Sequence, residues 1–326
     1  MDGGLRPGGH LVIHPPNWLG DVVMAQPAMA ALVAGLAPAR VTLVGRPWLA
    51  ELAPWLGLGA VATAEAMPRD GDLAVLFPHS IRVAWMAWRA GIPERIGFRG
   101  QWRRALLTRA PRPALDMMRE HHRDYFLDLV AQMGLPIPRR HVALSVPQEA
   151  VEQGEALLRR HGLDPGRVVA IAPGAQFGGA KRYPPERYHL LARRLAAAGR
   201  QLLILGTAAE RAIGEAVLPR GAEGWNGCGR TTLAQALRLL AACRLLLCND
   251  SGLMHVAAGI GRPVVALFGA TDPARTAPDG PQVRLLYRPA ECSPCLQREC
   301  RVAGHPCMAA LAPEEVAQAV EELLAG

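Results

Sequence analysis

The sequence has few aromatic residues and no long apolar run. No stretch of its 326 residues reaches the roughly 18 uncharged apolar residues that a membrane-spanning helix needs. Residues 1–9 include Asp2 and Arg6 and lack the apolar core of a secretory signal peptide. These absences predict a cytoplasmic protein, in which the seven cysteines are expected to be reduced thiols rather than a disulfide framework. Aromatic residues are only 5% of the chain and the arginines are scattered, which argues against a nucleic-acid-binding surface of stacked side chains.

The rest of the composition is that of a well-packed α/β protein. Apolar residues make up 50% and charged residues 20% of the chain. The length exceeds the size at which one hydrophobic core stops growing, so two domains are expected. Lys and Arg number 36 against 28 Asp and Glu, which gives a net charge of +8. A basic surface suits nucleic acid, an anionic membrane or a small phosphorylated substrate, and charge by itself does not choose among them.

Strand-like and helix-like segments alternate along the chain. Buried parallel strands are predicted over apolar runs at residues 11–14, 41–44, 73–77, 168–171, 202–205, 245–247 and 263–268. Helices are predicted in the gaps, among them residues 21–33, 125–134, 184–198, 231–242 and 314–324. Residues 136–147 are rich in Pro and Arg without a helical period, which indicates a linker. The predicted fold is therefore α/β, with two Rossmann-like doubly wound domains, residues 1–147 and 148–326, that face a cleft.

Ligands of such sheets bind at the carboxyl ends of the strands, so the loops after strands are where chemistry is expected. The first of these loops is residues 14–21, where Gly20 allows a ligand to approach the backbone and Asp21 opens a helix. Asp is also a common helix cap. Asp21 is thus either a cap or a general base that takes a proton from an acceptor hydroxyl.

Two more loops follow strands in the second half. Residues 172–184 contain three glycines and the cations Lys181 and Arg182, and this loop either surrounds a diphosphate or is a flexible surface loop with solvated cations. It matches neither the Walker pattern nor the dinucleotide fingerprint. Residues 248–255 place Asp250, Ser251 and Gly252 at a helix start, where backbone N–H groups can seat a phosphate. The alternative there is a well-capped helix with His255 satisfied in its first turn.

Taken in order, these motifs resemble a known family. Residues 17–21 (NWLGD), 173–175 (PGA), 180–184 (AKRYP) and 249–255 (NDSGLMH) are similar to motifs of the ADP-heptose:lipopolysaccharide heptosyltransferases, glycosyltransferase family 9, and of the second of those enzymes more than the first. The likeness spans residues 11–324. It implies the GT-B arrangement of two Rossmann-like domains. It also implies inverting, metal-independent transfer of heptose from ADP-L-glycero-D-manno-heptose to the heptosyl-Kdo inner core of lipopolysaccharide, in a cell with a Gram-negative-type envelope.

The resemblance implies roles for individual residues. Asp21 corresponds to the catalytic base, and Lys181 to the cation that holds the donor's diphosphate during catalysis. The donor-binding residues that it implies are Gly174, Lys181, Glu210, Asp250, Ser251, Gly252 and His255. No cofactor or catalytic metal is implied, so Lys181 and a helix N-terminus must stabilise the charge of the departing ADP.

The anionic acceptor of such an enzyme is expected to meet basic side chains of the first domain. Arg95 and Arg99 are the first candidates and Arg82, Arg103 and Arg104 the others, with a solvated basic face as the alternative. Because the acceptor is linked to a lipid, peripheral contact with the inner membrane is compatible with this function. The sequence itself shows no evident amphipathic anchor.

Several further segments need a separate reading. Cys292, Cys295, Cys300 and Cys307, with His305 nearby, are enough for a structural zinc site, although the spacing fits no standard finger and free thiols or a disulfide are the alternative. Residues 70–72 (DGD) look like a metal motif but precede a strand, and residues 122–124 (HRD) resemble a kinase loop without its partners. Two other functions remain open: a transferase with another nucleotide sugar or a protein acceptor, and a non-catalytic nucleic-acid-binding protein.

Overall fold

The structure is a computed structural model that describes residues 8–325, so Asp2 and Arg6 lie outside it. The chain divides into two compact units, Met1–Ser145 and Val146–Gly326. The division falls inside the predicted linker, close to the boundary predicted at residue 147. Among residues 8–325 no helix is long and apolar enough to cross a bilayer.

The first unit is built on a five-stranded parallel sheet. Its strands are β1 (His10–His14), β2 (Arg40–Val44), β3 (Ala62–Ala64), β4 (Leu73–Leu76) and β5 (Glu94–Ile96). Its helices are α1 (Leu19–Met24), α2 (Gln26–Leu36), α3 (Leu49–Leu52), α4 (Ile81–Arg89) and α5 (His122–Gln132). The strand order is β3-β2-β1-β4-β5, and every residue of β1 and β4 is buried, as expected where helices cover a parallel sheet.

The second unit has a six-stranded parallel sheet. Its strands are β6 (Val168–Ala172), β7 (Gln201–Ile204), β8 (Gly224–Asn226), β9 (Leu245–Asn249), β10 (Val264–Phe268) and β11 (Val283–Tyr287). Its helices are α6 (Gln148–Arg160), α7 (Pro185–Ala197), α8 (Arg211–Val217), α9 (Leu233–Ala242), α10 (Gly252–Gly259), α11 (Pro273–Thr276), α12 (Pro306–Ala309) and α13 (Pro313–Ala325). The strand order is β11-β10-β9-β6-β7-β8.

Both sheets have the Rossmann topology. In each unit the chain moves outward from its first strand through the next two, then returns to the other side of the first strand and continues outward. The direction reverses between β1 and β4 in the first unit and between β6 and β9 in the second. In open α/β sheets a ligand binds outside the carboxyl ends of the strands at such a reversal. The two reversals therefore locate the places where site residues are expected.

The predicted helix over residues 21–33 is wrong in two respects. It is two helices, α1 and α2, separated at Ala25, because Pro27 in the first turn of α2 lacks the N–H that a continuous helix would need. The first of them begins at Leu19 rather than at Asp21. The predicted helix and strand positions at residues 184–198 and 263–268 agree with α7 and β10 to within a residue or so at each end.

Candidate active site

Asp21 lies just past the carboxyl end of β1, at the reversal of the first sheet. The N-cap of α1 is Trp18, whose side chain makes no capping hydrogen bond, and Asp21 lies inside the first turn. The interpretation of Asp21 as the cap of this helix is therefore wrong. Its carboxylate is partly exposed and lies at the positive end of a helix, where a negative charge is favourable.

A histidine from another helix contacts this carboxylate. His122, the first residue of α5, places Nδ1 at 3.3 Å from Asp21 Oδ1, and α5 packs against α1. When Nδ1 carries the proton, the ring N–H donates to the carboxylate. His122 belongs to the kinase-like segment at residues 122–124, and no sequence motif indicated this contact. The two residues are 101 positions apart, and no local pattern indicates that they meet.

The second unit brings Lys181 and Asp250 together at its own reversal. Lys181 lies in the loop after β6 and Asp250 directly follows β9, the neighbouring strand. Lys181 Nζ is 2.6 Å from Asp250 Oδ2, and the Thr271 hydroxyl donates to the same oxygen over 2.6 Å. The Lys181 side chain is 14% exposed and that of Asp250 only 6%, so the ammonium is the more accessible of the two. The ammonium also lies 4.9 Å from the centre of the Phe177 ring.

The buried Asn249 holds the loop that carries Lys181. Its side-chain N–H groups donate to the carbonyls of Pro173 over 2.7 Å and Gly174 over 3.2 Å. Its side-chain oxygen accepts from the Tyr183 backbone N–H and the Tyr188 hydroxyl, each over 3.0 Å. One amide therefore ties both ends of the loop to β9. This argues against the interpretation of residues 172–184 as a flexible surface loop.

Gly174 is packed against Glu210. A Cβ at Gly174 would lie 1.8 Å from Glu210 Oε1, so no larger residue fits without a rearrangement. Glu210 Oε2 accepts from the Thr207 backbone N–H over 2.7 Å and from its hydroxyl over 3.0 Å, which caps a 3-10 turn after β7. Glu210 is thus buried and holds its own loop through one oxygen. Its role in binding the donor stays a prediction.

The N-terminus of α10 follows Asp250 directly. Ser251 is the N-cap residue and Gly252 the first helical residue, but the Ser251 side chain makes no capping bond. The buried Ser251 Oγ has no hydrogen-bond partner of standard geometry within residues 8–325. The interpretation of this segment as a well-capped helix is therefore wrong. His255, one turn further on, is buried. The first N–H groups of a helix have no acceptor within it, so they are available to an anion.

Comparison with known proteins identifies the family. Residues 66–305 match the family model described as glycosyltransferase family 9 (heptosyltransferase). The chain belongs to glycosyltransferase family 9. It is similar to lipopolysaccharide heptosyltransferase 2 of Escherichia coli (strain K12), with 33% identity over 308 residues that cover 85% of this chain and 87% of that one. The corresponding protein of Salmonella typhimurium (strain LT2) is 34% identical over the same shares.

A solved structure agrees with this assignment. The E. coli ADP-heptose lps heptosyltransferase II superposes with a TM-score of 0.81 at 29% identity, over 97% of this chain and 98% of that chain. The protein is therefore a glycosyltransferase of the heptosyltransferase family with the GT-B fold, as predicted. The non-catalytic nucleic-acid-binding alternative is excluded.

Arg103 was expected to be one of the basic residues that meet the acceptor of this family 9 enzyme, and its position contradicts that expectation. Its side chain is fully buried, and its guanidinium donates to the carbonyls of Phe98 and Pro78. Burial lowers the pKa of Arg103 to about 10. The prediction that Arg103 contacts an acceptor is wrong, because its side chain has no exposed surface and its guanidinium donates to two backbone carbonyls.

The two first candidates, Arg95 and Arg99, differ in availability. The Arg95 guanidinium donates to the Leu106 carbonyl over 2.7 Å and also to the carbonyls of Ile92 and Pro93, so it is used in holding β5 to the following turn. Arg99 lines a shallow depression together with Arg104, Leu107, Thr108 and Ala110. The structure thus favours Arg99 over Arg95 as a residue that an anionic acceptor can reach.

Residues 298–305, which lie in the cysteine-rich segment 292–307 of this glycosyltransferase, contact the Lys181 loop. The Ala180 N–H donates to the Arg298 carbonyl over 2.9 Å, and the Gly179 N–H to Glu299 Oε1 over 3.1 Å. His305 Nε2 donates to the Ala180 carbonyl over 2.9 Å. A Cβ at Gly178, where φ is 153°, would lie 2.1 Å from the Arg298 carbonyl oxygen. The segment from residue 298 to 305 therefore helps to position the loop.

Four cysteines of this region are free thiols: Cys292, Cys295, Cys300 and Cys307. Of these, Cys307 is buried and Cys292 is exposed. Within residues 8–325, no three side chains of His, Cys, Asp or Glu are grouped as metal ligands would be. The positions of these side chains thus give no support to a zinc site formed by Cys292, Cys295, Cys300 and Cys307.

One signal for Lys181 was present in the sequence and not used. Lys181 is the only lysine among the 326 residues, and every other cationic side chain that is always charged is arginine. A lysine ammonium is a compact point charge with three rotatable donors, whereas arginine presents a rigid fork. A single lysine in an arginine-rich chain is therefore a signal that favours Lys181 as a candidate site residue.

Proposed function

We propose that the protein transfers heptose from ADP-L-glycero-D-manno-heptose to the heptosyl-Kdo inner core of lipopolysaccharide, with inversion at the anomeric carbon. The names of the relatives, lipopolysaccharide heptosyltransferase 2 and ADP-heptose lps heptosyltransferase II, support this donor and acceptor class. The observation that carries the proposal is the meeting of Lys181 with the N-terminus of α10 at a strand reversal. Two positive groups converge there, where Rossmann-like sheets bind nucleotides.

The donor's diphosphate would lie against these groups. Lys181 has three N–H donors, and Asp250 occupies one of them in the structure. The N–H groups at the start of α10 supply further donors beside Ser251 and Gly252. Gly174, which follows β6 and packs against Glu210, stays a proposed donor-binding residue. This site needs no metal, because an ammonium and a helix N-terminus can stabilise the charge that develops on departing ADP.

Asp21 is the group proposed to start the reaction. Its carboxylate takes the proton of the acceptor hydroxyl, the hydroxyl oxygen forms a bond to the anomeric carbon, and the bond from that carbon to the diphosphate oxygen breaks. ADP departs with the electron pair, and its added charge is stabilised by Lys181. His122 is proposed as a positioning residue, because its ring N–H, when Nδ1 carries the proton, donates to the carboxylate and holds its orientation.

Kinetics of Asp21→Asn test the assignment of the base. Turnover is expected to fall by a factor of about 10² or more, because the amide cannot accept the proton, while ADP binding by calorimetry stays as in wild type. Asp116→Asn, at an exposed carboxylate elsewhere in the first unit, is the matched control and should keep full turnover. Wild-type-like turnover in Asp21→Asn removes Asp21 from the mechanism.

The role of His122 is separated from a general folding effect by two variants. His122→Ala should lower kcat about tenfold with the donor KM unchanged, since only the orientation of Asp21 is lost. His122→Asn should recover part of that loss, because its amide N–H can donate to the carboxylate. Equal kcat in the two variants contradicts the positioning role.

Donor screening addresses the remaining alternative, a related transferase with another sugar. Product formation with ADP-heptose, and not with UDP- or GDP-linked sugars, is expected. We also propose a cytoplasmic location for the protein. The anionic inner-core acceptor is proposed to approach Arg99.

A further inference from the structure

Helix α4 exposes a row of large apolar side chains. Ile81, Trp85 and Trp88 are 46%, 43% and 52% exposed. At about 100° per residue, positions i, i+4 and i+7 lie within about 60° of one another, so the three side chains share one helix face. The opposite face is formed by Val83, Ala84 and Ala87, which are buried in the core of the first unit. The helix is therefore apolar on its outer side as well as on its inner side.

Cations border this row on one side. Arg82 and Arg89 are exposed, and at the same rotation per residue they lie about 80–100° from Ile81. The Arg89 guanidinium lies 5.2 Å from the centre of the Trp85 ring. No acidic residue occurs in α4. The exposed side of the helix thus combines tryptophan and isoleucine with positive charge alone.

A further exposed apolar side chain lies next to a turn that packs on α4. Trp102 is 95% exposed and has a φ of 61°, a left-handed backbone conformation that costs energy for a residue with a side chain. It precedes a 3-10 turn, residues 103–106, that packs against α4. The buried Arg103 ties this turn to the Pro78 carbonyl, two residues before the N-cap of α4. Ile81, Trp85 and Trp88, which share one face of α4, are called the tryptophan face below.

Such a face does not stabilise the folded protein. An exposed indole gains little from burial, and contiguous exposed apolar groups usually mark a binding surface. Tryptophan is enriched where proteins meet the headgroup region of a membrane, and helices that lie in that region combine Trp and Leu or Ile with Arg and Lys. No amphipathic anchor was evident in the sequence, but the exposed side of α4 combines the residue types of such a helix.

We propose that the tryptophan face docks onto an anionic lipid bilayer surface, with the indoles at headgroup depth and Arg82 and Arg89 against lipid phosphates. Charge decides against a second copy of the chain, because the two faces would bring like-charged arginines together. The shape decides against single-stranded nucleic acid, since such ligands follow a groove and this is the convex side of a helix.

The position of the face fits its occupant. α4 starts at the carboxyl edge of the first sheet, where the Phe77 N–H donates to the His14 carbonyl over 3.1 Å at the adjacent ends of β4 and β1. Asp21 follows β1 at this same edge. A bilayer against α4 would therefore lie near the residue that we propose as the base for a lipid-linked acceptor. This last step rests on the proposed function, whereas the docking itself does not.

Sedimentation of the full chain with vesicles tests the proposal. The wild type is expected to sediment with vesicles of phosphatidylcholine and phosphatidylglycerol, and much less with phosphatidylcholine alone. Trp85→Ser/Trp88→Ser should reduce the partition coefficient at least about tenfold, and Arg89→Gln about fivefold. The matched controls are Leu190→Ser and Arg193→Gln, at exposed positions of α7 in the second unit, which should bind as the wild type does.

The outcomes separate this proposal from the proposed function. Each variant should keep the rise in melting temperature that ADP produces, which shows that it is folded. The proposal is overturned if the wild type does not sediment with anionic vesicles, or if the tryptophan variant binds them as well as the wild type does. It is also overturned if the face instead mediates dimers or binds an oligonucleotide and vesicles do not compete. Transfer to a delipidated acceptor reports on the proposed function independently.

Discussion

Replacing Lys181 with methionine is expected to lower the free energy of unfolding of the second unit by about 2–4 kcal/mol. Within residues 8–325, the change leaves the Thr271 hydroxyl as the remaining side-chain donor to Asp250 Oδ2, in a side chain that is 6% exposed. Removing one partner of a fully buried ion pair costs about 3–5 kcal/mol, because a charge is left without compensation. We expect the smaller cost of about 2–4 kcal/mol for Lys181→Met, because the Lys181 side chain keeps 14% of its surface in solvent and the pair is not fully buried.

A second substitution should relieve this cost. Lys181→Met/Asp250→Asn replaces the unpaired carboxylate with a neutral amide that can still accept from Thr271, so more than half of the lost stability should return. Equilibrium urea denaturation followed by circular dichroism measures the four corners of the double-mutant cycle. Arg193→Met, at an exposed cation of α7, is the matched control and should change stability by less than about 0.5 kcal/mol.

Binding of ADP should not return with stability. A charge-assisted hydrogen bond is worth about 1.5–3 kcal/mol, so loss of the ammonium is expected to weaken ADP binding about 10- to 100-fold in both the single and the double variant. Calorimetry measures this. The reasoning is refuted if Lys181→Met costs less than about 1 kcal/mol or if the double variant is no more stable than the single one. Wild-type ADP affinity in Lys181→Met refutes the role of the ammonium in donor binding.

A pH titration and a glycine substitution test two other regions. Burial, and then the charge of Arg103, lowers the pKa of His79 in the folded protein. Below about pH 6.5 the unfolded chain therefore binds the proton more readily, so the free energy of unfolding should decrease as the pH is lowered. His79→Gln can still accept from the Tyr125 hydroxyl and should flatten that fall in urea titrations between about pH 5 and 8, and an unchanged slope contradicts this. Gly174→Ala should cost about 1–3 kcal/mol in thermal unfolding because its Cβ meets Glu210. At Gly166 an added Cβ meets Asp164 Oδ1 at 3.4 Å, an ordinary contact, so Gly166→Ala should be nearly neutral.

The central strands were predictable and the edge strands were not. β6 and β10 lie in the sheet interior with both faces covered, so their sequences are unbroken apolar runs. The strands without a prediction, β3, β5, β8 and β11, are the four edge strands of the two sheets. An edge strand is covered less completely, and three of these strands are only three residues long, so no apolar run identifies them.

Helix α4 escaped prediction for a related reason. Apolar residues occur on its exposed face, Ile81, Trp85 and Trp88, as well as on its buried face, so the sequence does not show which face is covered. Only the fold tells which side faces solvent. The site shows the same division. The loops after β1, β6 and β9 follow from the topology rule and the motifs, but the contact of Asp21 with His122 depends on how α5 packs on α1.

Asn249 shows why a polar residue at the end of an apolar strand matters for binding. A buried amide without hydrogen-bond partners costs free energy. The conformation of the chain around Asn249 that satisfies its four hydrogen bonds is therefore stabilised. Those bonds fix both ends of the Lys181 loop, and the segment at residues 298–305 holds its middle. The ammonium is therefore in place before a ligand arrives, and the loop has little freedom left to lose on binding. Preorganisation of this kind raises affinity by lowering the ordering cost, so we expect Asn249 and the segment at residues 298–305 to support donor binding through the loop.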